Sequence, residues 1–273
     1  MEYKKLSNGI LIPEIGLGTW GIGGEFIADT SNEENEVILI RQAINLGMHH
    51  IDTAEIYSQG QAEKEIGFAI KNFDREKLFI TTKVWKTNLH KKDVMTSLEK
   101  SLERLQTNYV DLYIVHWPNP AVPLKETMEA MEYLASKGKI KSIGVSNFSV
   151  DQMKEAQRHL KNYKIVANQV EYNLTNKYAE EWIIPYCIEN NIIVVAYKPL
   201  ARGNLASKFP GVLSDIARKY NKTTAQIALK WTISHKNVVA ITKSSSLQHI
   251  NENMGIFGWE IKKKDIELLD KLS

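Results

Sequence analysis

Cys187 is the chain's only cysteine, so no internal disulfide can staple it. It lies in EEWIIPYCIEN at helical spacing from Ile183 and Ile184 and reads as a buried packing residue. No group of cysteines and histidines has the spacing of a metal site, so no metal is expected. No stretch reaches the roughly 18 apolar residues needed to cross a bilayer. The opening MEYKKLSNGILIPEIG has no apolar run leading to a cleavage site. These absences predict a reduced cytoplasmic compartment and no membrane partner. Nor is there a basic block: 35 basic residues face 32 acidic ones, a net charge of +3, and no nucleic-acid partner is expected. Linkers, repeats and low-complexity segments are missing too. One domain over 1–273 is the expectation, and 43% apolar residues suffice for a sizeable core.

What the chain does have is alternation. KKLSNGILIPEIGLG reads as a β-hairpin turning at Asn8-Gly9 and ending at Pro13. Ile15 to Leu17 then begins a series of short strands rich in isoleucine and valine, each followed by a helical pattern. Helices are predicted over Glu33 to Leu46, Ala62 to Lys71, Asp93 to Leu105, Lys125 to Ser136, Val150 to His159 and Lys177 to Glu189. A helical pair follows around Val212 to Ile233. A last amphipathic helix carries Ile261, Ile266, Leu269 and Leu272. Strands apolar on successive positions are covered on both faces. About eight such units suggest a closed barrel rather than an open sheet. An open sheet would carry a GxGxxG turn into a helix, whereas GLGTWGIGGEF enters none. The fold class is therefore α/β: a single (β/α)8 TIM barrel with an N-terminal β-hairpin and extra C-terminal helices.

Ionisable residues follow three consecutive apolar strands: Asp52 and Tyr57 in IDTAEIY, Lys83 in LFITTKVW, and His116 in LYIVHWP. In a parallel barrel the carboxyl ends of neighbouring strands converge on one pocket. A phenol, with a reference pKa near 10, donates reluctantly at neutrality. The Lys83 ammonium is expected to lower the pKa of Tyr57, and Asp52 to supply the counter-charge. His116 is expected to orient and polarise a substrate oxygen. Such a set suits protonation of an oxygen that gains negative charge, as a carbonyl does on receiving hydride.

The segments GLGTW, IDTAEIY, TTKVW, SLERLQTNYVDLYIVHWP, GKIKSIGVSNF, NQVEYN and VVAYKPLARG resemble the aldo-keto reductases, in order, from the hairpin to about Asn253. The resemblance implies a (β/α)8 barrel that binds NADPH in an extended groove and reduces aldehydes and ketones without metal. It implies Tyr57 as proton donor, Lys83 and Asp52 as its tuning pair, and His116 as the carbonyl-orienting group. Ser146, Asn147 and Gln169 fall on the nicotinamide amide contacts, and Tyr197 on the residue stacked against the ring. Gly18 and Thr19 fall on the first cofactor loop, and Leu200 beside the pyrophosphate. Lys243 and Ser244 match the ribose-phosphate contacts, and Glu252 and Asn253 the adenine contacts. His249 stands where the family carries arginine, whose fork and permanent charge hold phosphate better. NADPH is thus favoured, with NADH possible. Lys198 replaces a common serine and is expected to add a cation near the pyrophosphate.

Trp20, Trp85 and Trp117 each follow a strand beside one of these motifs and are candidate substrate walls. After the last motif only GIFGWEIKKKDIELLDKLS remains, without the loop that closes over substrate in longer members. An open pocket and broad activity on small aldehydes, hydroxyaldehydes or dicarbonyls is the expectation. Two other readings are a lyase using Lys83 or Lys198 as a Schiff-base nucleophile, and a slow-turnover cofactor-binding sensor or partner-binding protein on the same fold.

Overall fold

The computed structural model describes residues 1–207 and 211–272. Strands β1 (Tyr3–Lys5) and β2 (Leu11–Pro13) pair antiparallel as the N-terminal hairpin. Eight further strands close into a parallel barrel: β3 (Ile15–Gly18), β4 (His50–Asp52), β5 (Phe79–Val84), β6 (Leu112–Val115), β7 (Ile143–Ser146), β8 (Ile165–Glu171), β9 (Ile193–Tyr197) and β10 (Val238–Thr242). Each pairs with its chain neighbour, and β10 closes on β3 through Ala240 opposite Ile15.

Side chains alternate across a strand, so every second residue enters the barrel. Phe79, Leu112, Ile114, Ile193, Val195, Val239 and Ile241 fill the interior together with Leu6 and Ile12 from the hairpin. Continuing the same parity toward the carboxyl ends gives Lys83 after Phe79, His116 after Ile114, Tyr197 after Val195 and Asp52 after His50. The rows of β5, β6 and β9 thus run from apolar to polar, while that of β4 is polar at both positions. The barrel core and the ionisable mouth are built by one alternation.

The surrounding helices bury the stripes that their spacing predicts. In α1 (Glu33–Asn45), Val37, Ile40, Ala43 and Ile44 are buried. Next come α2 (Gln61–Ile70), α3 (Lys91–Leu105), α4 (Leu124–Ser136) and α5 (Val150–Arg158). In α3 the buried stripe includes Val94, Leu98, Leu102 and Leu105. Ser149 and Gln152 form a reciprocal cap that starts α5. Beyond β9 lie α7 (Val212–Tyr220), α8 (Thr224–Ser234), α9 (Leu247–Met254) and α10 (Lys263–Asp270).

One predicted helix breaks. Lys177 to Glu189 is a 3-10 turn at Tyr178–Glu180 and a separate α6 (Ile183–Glu189), with Trp182 at φ −139° between them. Pro185 explains this: it has no N–H, and its ring would meet the carbonyl four residues back in a continuous helix. The helix can restart only within one turn of it. The final helix is also shorter than its apolar pattern, since Ile261 and Leu272 lie outside α10.

Candidate active site

Lys83 is the centre of the mouth. Its side chain is fully buried on β5, and its ammonium donates to Asp52 Oδ1 at 2.5 Å and to the Thr53 carbonyl at 2.7 Å. A third contact reaches Tyr57 Oη at 3.3 Å. The second Asp52 oxygen accepts from Gln169 Nε2 at 2.7 Å, so both carboxylate oxygens are engaged. A buried charge is tolerated only when paired and hydrogen-bonded in this way.

Tyr57 begins the 3-10 turn Tyr57–Gly60, in which Ser58 and Gln59 both adopt left-handed backbone, at φ 49° and 55°. The Ser58 hydroxyl donates to the carbonyls of Ile22 and Gly24, tying this turn to the loop after β3. The phenol is therefore placed by two loops at once. Its ring meets Trp20 edge to face at 5.1 Å and His116 at 5.7 Å, and Trp85 meets His116 at 5.1 Å.

Burial raises the pKa of Tyr57 above its ordinary value, and the opposing pull of Lys83 does not overcome it. This corrects the expectation of an acidified phenol: desolvation of the phenolate outweighs the ammonium. Burial likewise raises Asp52 against the pull of Lys83. For Lys83, burial favours the neutral amine, but Asp52 and Tyr57 win and its pKa rises. His116 is pushed down to about 2 by burial and then by Lys83. Its Nδ1 is buried with no partner among the described residues. The imidazole is neutral at physiological pH.

On the other side of the mouth, Asn147 takes left-handed backbone at φ 61°. Its Nδ2 donates to Ser146 Oγ at 2.9 Å, and its Oδ1 accepts from Tyr197 Oη at 2.9 Å. Ser146 Oγ donates to the Gln169 carbonyl at 2.9 Å. Ser146, Asn147, Gln169 and Tyr197 therefore form one connected group bordering Asp52. Thr19 is buried, and its hydroxyl donates to the Asp52 carbonyl at 3.0 Å, while Gly18 ends β3 beside it.

The remaining predicted cofactor positions divide. Lys198, at φ 51°, commits its ammonium to Glu171 Oε2 at 2.8 Å, so its charge is matched rather than free. Leu200 precedes a 3-10 turn at Ala201–Gly203. Lys243 is exposed and forms no ion pair among the described residues. Ser244 and Asn253 are buried and turned inward, donating to the Ser246 carbonyl at 3.0 Å and to Thr242 Oγ1 at 3.0 Å. His249 is exposed on α9, and Glu252 is half-buried one turn further on. Of the three tryptophans, Trp20 and Trp85 flank Tyr57 and His116. Trp117 is 40% exposed and makes no ring contact among the described residues.

Two residues of the mouth escaped the sequence reading. Glu55 Oε1 accepts from the Trp85 backbone N–H at 2.6 Å and from Asn88 Nδ2 at 3.1 Å, fixing the loop that presents Trp85. Phe26 packs edge to face on Trp20 at 5.3 Å. An acid inside IDTAEIY, two residues before the tyrosine, was a signal for the first; nothing in the irregular loop marked the second.

A closed parallel barrel with a buried lysine, carboxylate, phenol and neutral imidazole at the carboxyl ends of its strands is the architecture of a barrel enzyme. The chain belongs to the Aldo/keto reductase family, whose model matches residues 14–273. It is 39% identical to a glyoxal reductase of Bacillus subtilis, over 100% of this chain and 93% of that protein. It is 36% identical to the methylglyoxal reductase YeaE of Escherichia coli, over 99% and 95%. A thermostable aldo-keto reductase solved with the inhibitor epalrestat superposes with a TM-score of 0.97 at 44% identity, covering 100% of both chains. An aldo/keto reductase of Klebsiella pneumoniae, solved with NADP and acetate, matches with a TM-score of 0.89 at 34% identity over 98% and 93%. Among the described residues no helix is long and apolar enough to cross a membrane, and no cluster could hold a metal ion.

Proposed function

We propose that the protein reduces the carbonyl of small aldehydes and ketones, dicarbonyls among them, with NADPH as reductant. The observation that carries this is the fully buried Lys83 ammonium, held by Asp52 at 2.5 Å and standing 3.3 Å from the Tyr57 hydroxyl. The donor set of the mouth fits the cofactor. Ser146, Asn147 and Gln169 offer hydroxyl and amide groups suited to a carboxamide, and the Tyr197 ring offers a flat face. Lys243, exposed and without an ion pair among the described residues, suits a phosphate monoester. His249 adds no permanent charge, so discrimination against NADH is expected to be modest.

When bound, NADPH supplies a hydride to the carbonyl carbon. The residues of the chain handle the oxygen. His116, neutral, hydrogen-bonds it and fixes its direction. Tyr57, protonated at neutral pH as a phenol of ordinary or raised pKa is, gives up its proton as the oxygen gains negative charge. Lys83 then faces the phenolate and stabilises it, while Asp52 keeps Lys83 charged throughout. The tuning by Lys83 is thus exerted on the product phenolate and not on a preformed one. The similarity to a glyoxal reductase and a methylglyoxal reductase supports the small-carbonyl class.

Tyr57→Phe tests the assignment. Turnover of methylglyoxal is expected to fall by about 10²- to 10⁴-fold, the span of a general acid's contribution. NADPH affinity, followed by tryptophan fluorescence, should change little. A variant that kept near-parental turnover would remove Tyr57 from the role.

A further inference from the structure

The loop between β3 and α1 carries two large apolar side chains, Phe26 and Ile27, at 72% and 73% exposure. Their backbone is not loose. Thr19 N–H donates to the Asp52 carbonyl at 3.0 Å, Gly23 N–H to Glu36 Oε2 at 2.8 Å, and Asp29 N–H to the Gly23 carbonyl at 2.7 Å. The Ser58 hydroxyl holds the Ile22 and Gly24 carbonyls. Gly24 sits at φ +102°, where a Cβ would lie 2.2 Å from the Ile27 carbonyl oxygen. That collision leaves room only for glycine. These contacts pin the loop on both sides of Phe26, and the Phe26 ring itself rests edge to face on Trp20.

That place is the end of a ring series. Phe26 meets Trp20 at 5.3 Å and 78°, and Trp20 meets Tyr57 at 5.1 Å and 82°. Tyr57 meets His116 at 5.7 Å, and His116 meets Trp85 at 5.1 Å. The wall therefore starts at the proton donor and steps outward twice, by about one ring each time. A carbonyl engaged by Tyr57 and His116 leaves its substituent against Trp20. A short substituent that stops at Trp20 never meets Phe26, whereas one long enough to pass Trp20 meets the ring packed on its far side.

Resting on the reading that Tyr57 protonates a carbonyl oxygen, we propose that Phe26 is a specificity-determining residue selecting carbonyl substrates that bear an aromatic ring. Edge-to-face contact with a second ring covers the exposed Phe26 surface and adds a geometric preference that an alkyl chain lacks. Phe26 lies too far out to feel the reacting bond. It therefore binds ground state and transition state alike, and its contribution falls on KM rather than kcat.

The experiment is steady-state kinetics of the parent, Phe26→Ala and Phe26→Tyr on 4-nitrobenzaldehyde and on methylglyoxal with NADPH, with the oligomeric state of each measured by light scattering. Phe26→Ala is expected to raise KM for the aryl aldehyde about tenfold, the worth of one aromatic pair with its covered area, with kcat within about twofold. Methylglyoxal kinetics should not change, and Phe26→Tyr should restore the parental KM for the aryl aldehyde. Because the side chain is exposed, the Tm of each variant should match the parent. Equal effects on both substrates, or none on either, would overturn the proposal. So would a dimeric parent and a monomeric Phe26→Ala of unchanged kinetics, since a second copy would then be what covers the ring. A parent inactive on every carbonyl, with either nicotinamide, would instead overturn the reductase reading on which the proposal stands.

Discussion

Burial and the nearby Lys83 ammonium push His116 down to about 2, and the same two causes push His50, on the inward row of β4, down to about 3. A histidine of ordinary pKa would add a charge to the mouth below about pH 6.5. His116 adds none, so kcat/KM for reduction should stay level from about pH 5 to about pH 8. An inflection near pH 6.5 in a kcat/KM profile would show a charged imidazole and rule out the neutral one. Stability behaves otherwise. Both histidines have folded pKa values depressed below the unfolded 6.5, so the unfolded chain binds the extra protons. Stability is intact above that value and falls as pH drops toward the folded values, by about 1.4 kcal/mol per unit for each histidine. Urea unfolding between about pH 6 and pH 4 should show this, and His50→Gln should lessen the slope by about one proton. The identities at the mouth were legible because Asp52, Lys83 and His116 each end an apolar run. The raised Tyr57 was not, because burial is created only when Trp20, His116 and β5 come together.

Helix α2 packs on α3 more closely than its composition suggests. A Cβ at Gly67 would lie 2.4 Å from the Arg104 carbonyl oxygen and 3.0 Å from the Leu105 carbonyl carbon, both backbone atoms that cannot step aside. Beside it, Glu63 is fully buried and holds Arg104 at 2.6 Å, with Thr82 donating to its other oxygen. Alanine is intrinsically the better helix former by about 1 kcal/mol. Gly67→Ala should nonetheless destabilise, since forcing two backbones apart costs about 1–3 kcal/mol and separates the Glu63 pair as well. A lowered urea midpoint is the expected result; a raised one would mean that α2 is free to shift. The sequence pattern found this helix, yet could not say that glycine was there for contact. The break before α6 teaches the converse. Pro185 stood in the sequence, but the apolar run through Ile183 and Ile184 masked its effect. The Phe26 loop has no periodicity at all, so its direction depends on distant partners such as Ser58 and Glu36.

At the scale of the molecule, the two ends of the barrel serve different purposes. The hairpin closes the amino-terminal end: Lys4 donates to the carbonyls of Ile233, His235 and Val238, and Asn8 to Ser142 Oγ at 2.9 Å just ahead of β7. Leu6 and Ile12 insert among Phe79, Leu112, Ile193 and Val239, the lowest inward layer. Conservation of volume in that layer supports the whole barrel, while the ionisable groups lie beyond the upper layers, toward the opposite end. Ile12→Ala removes a fully buried side chain and should cost about 2–5 kcal/mol, depending on how far the plug collapses into the gap. The mouth, several side-chain layers away, should keep its geometry, because Asp52, Lys83 and Tyr57 are fixed by contacts to one another and to β4 and β5. Methylglyoxal KM and kcat at a temperature where the variant is folded should therefore equal the parental values, with the urea midpoint alone reduced. A fall in kcat alongside the stability loss would mean that the lower layers transmit strain to Lys83, and that core and site are mechanically one unit.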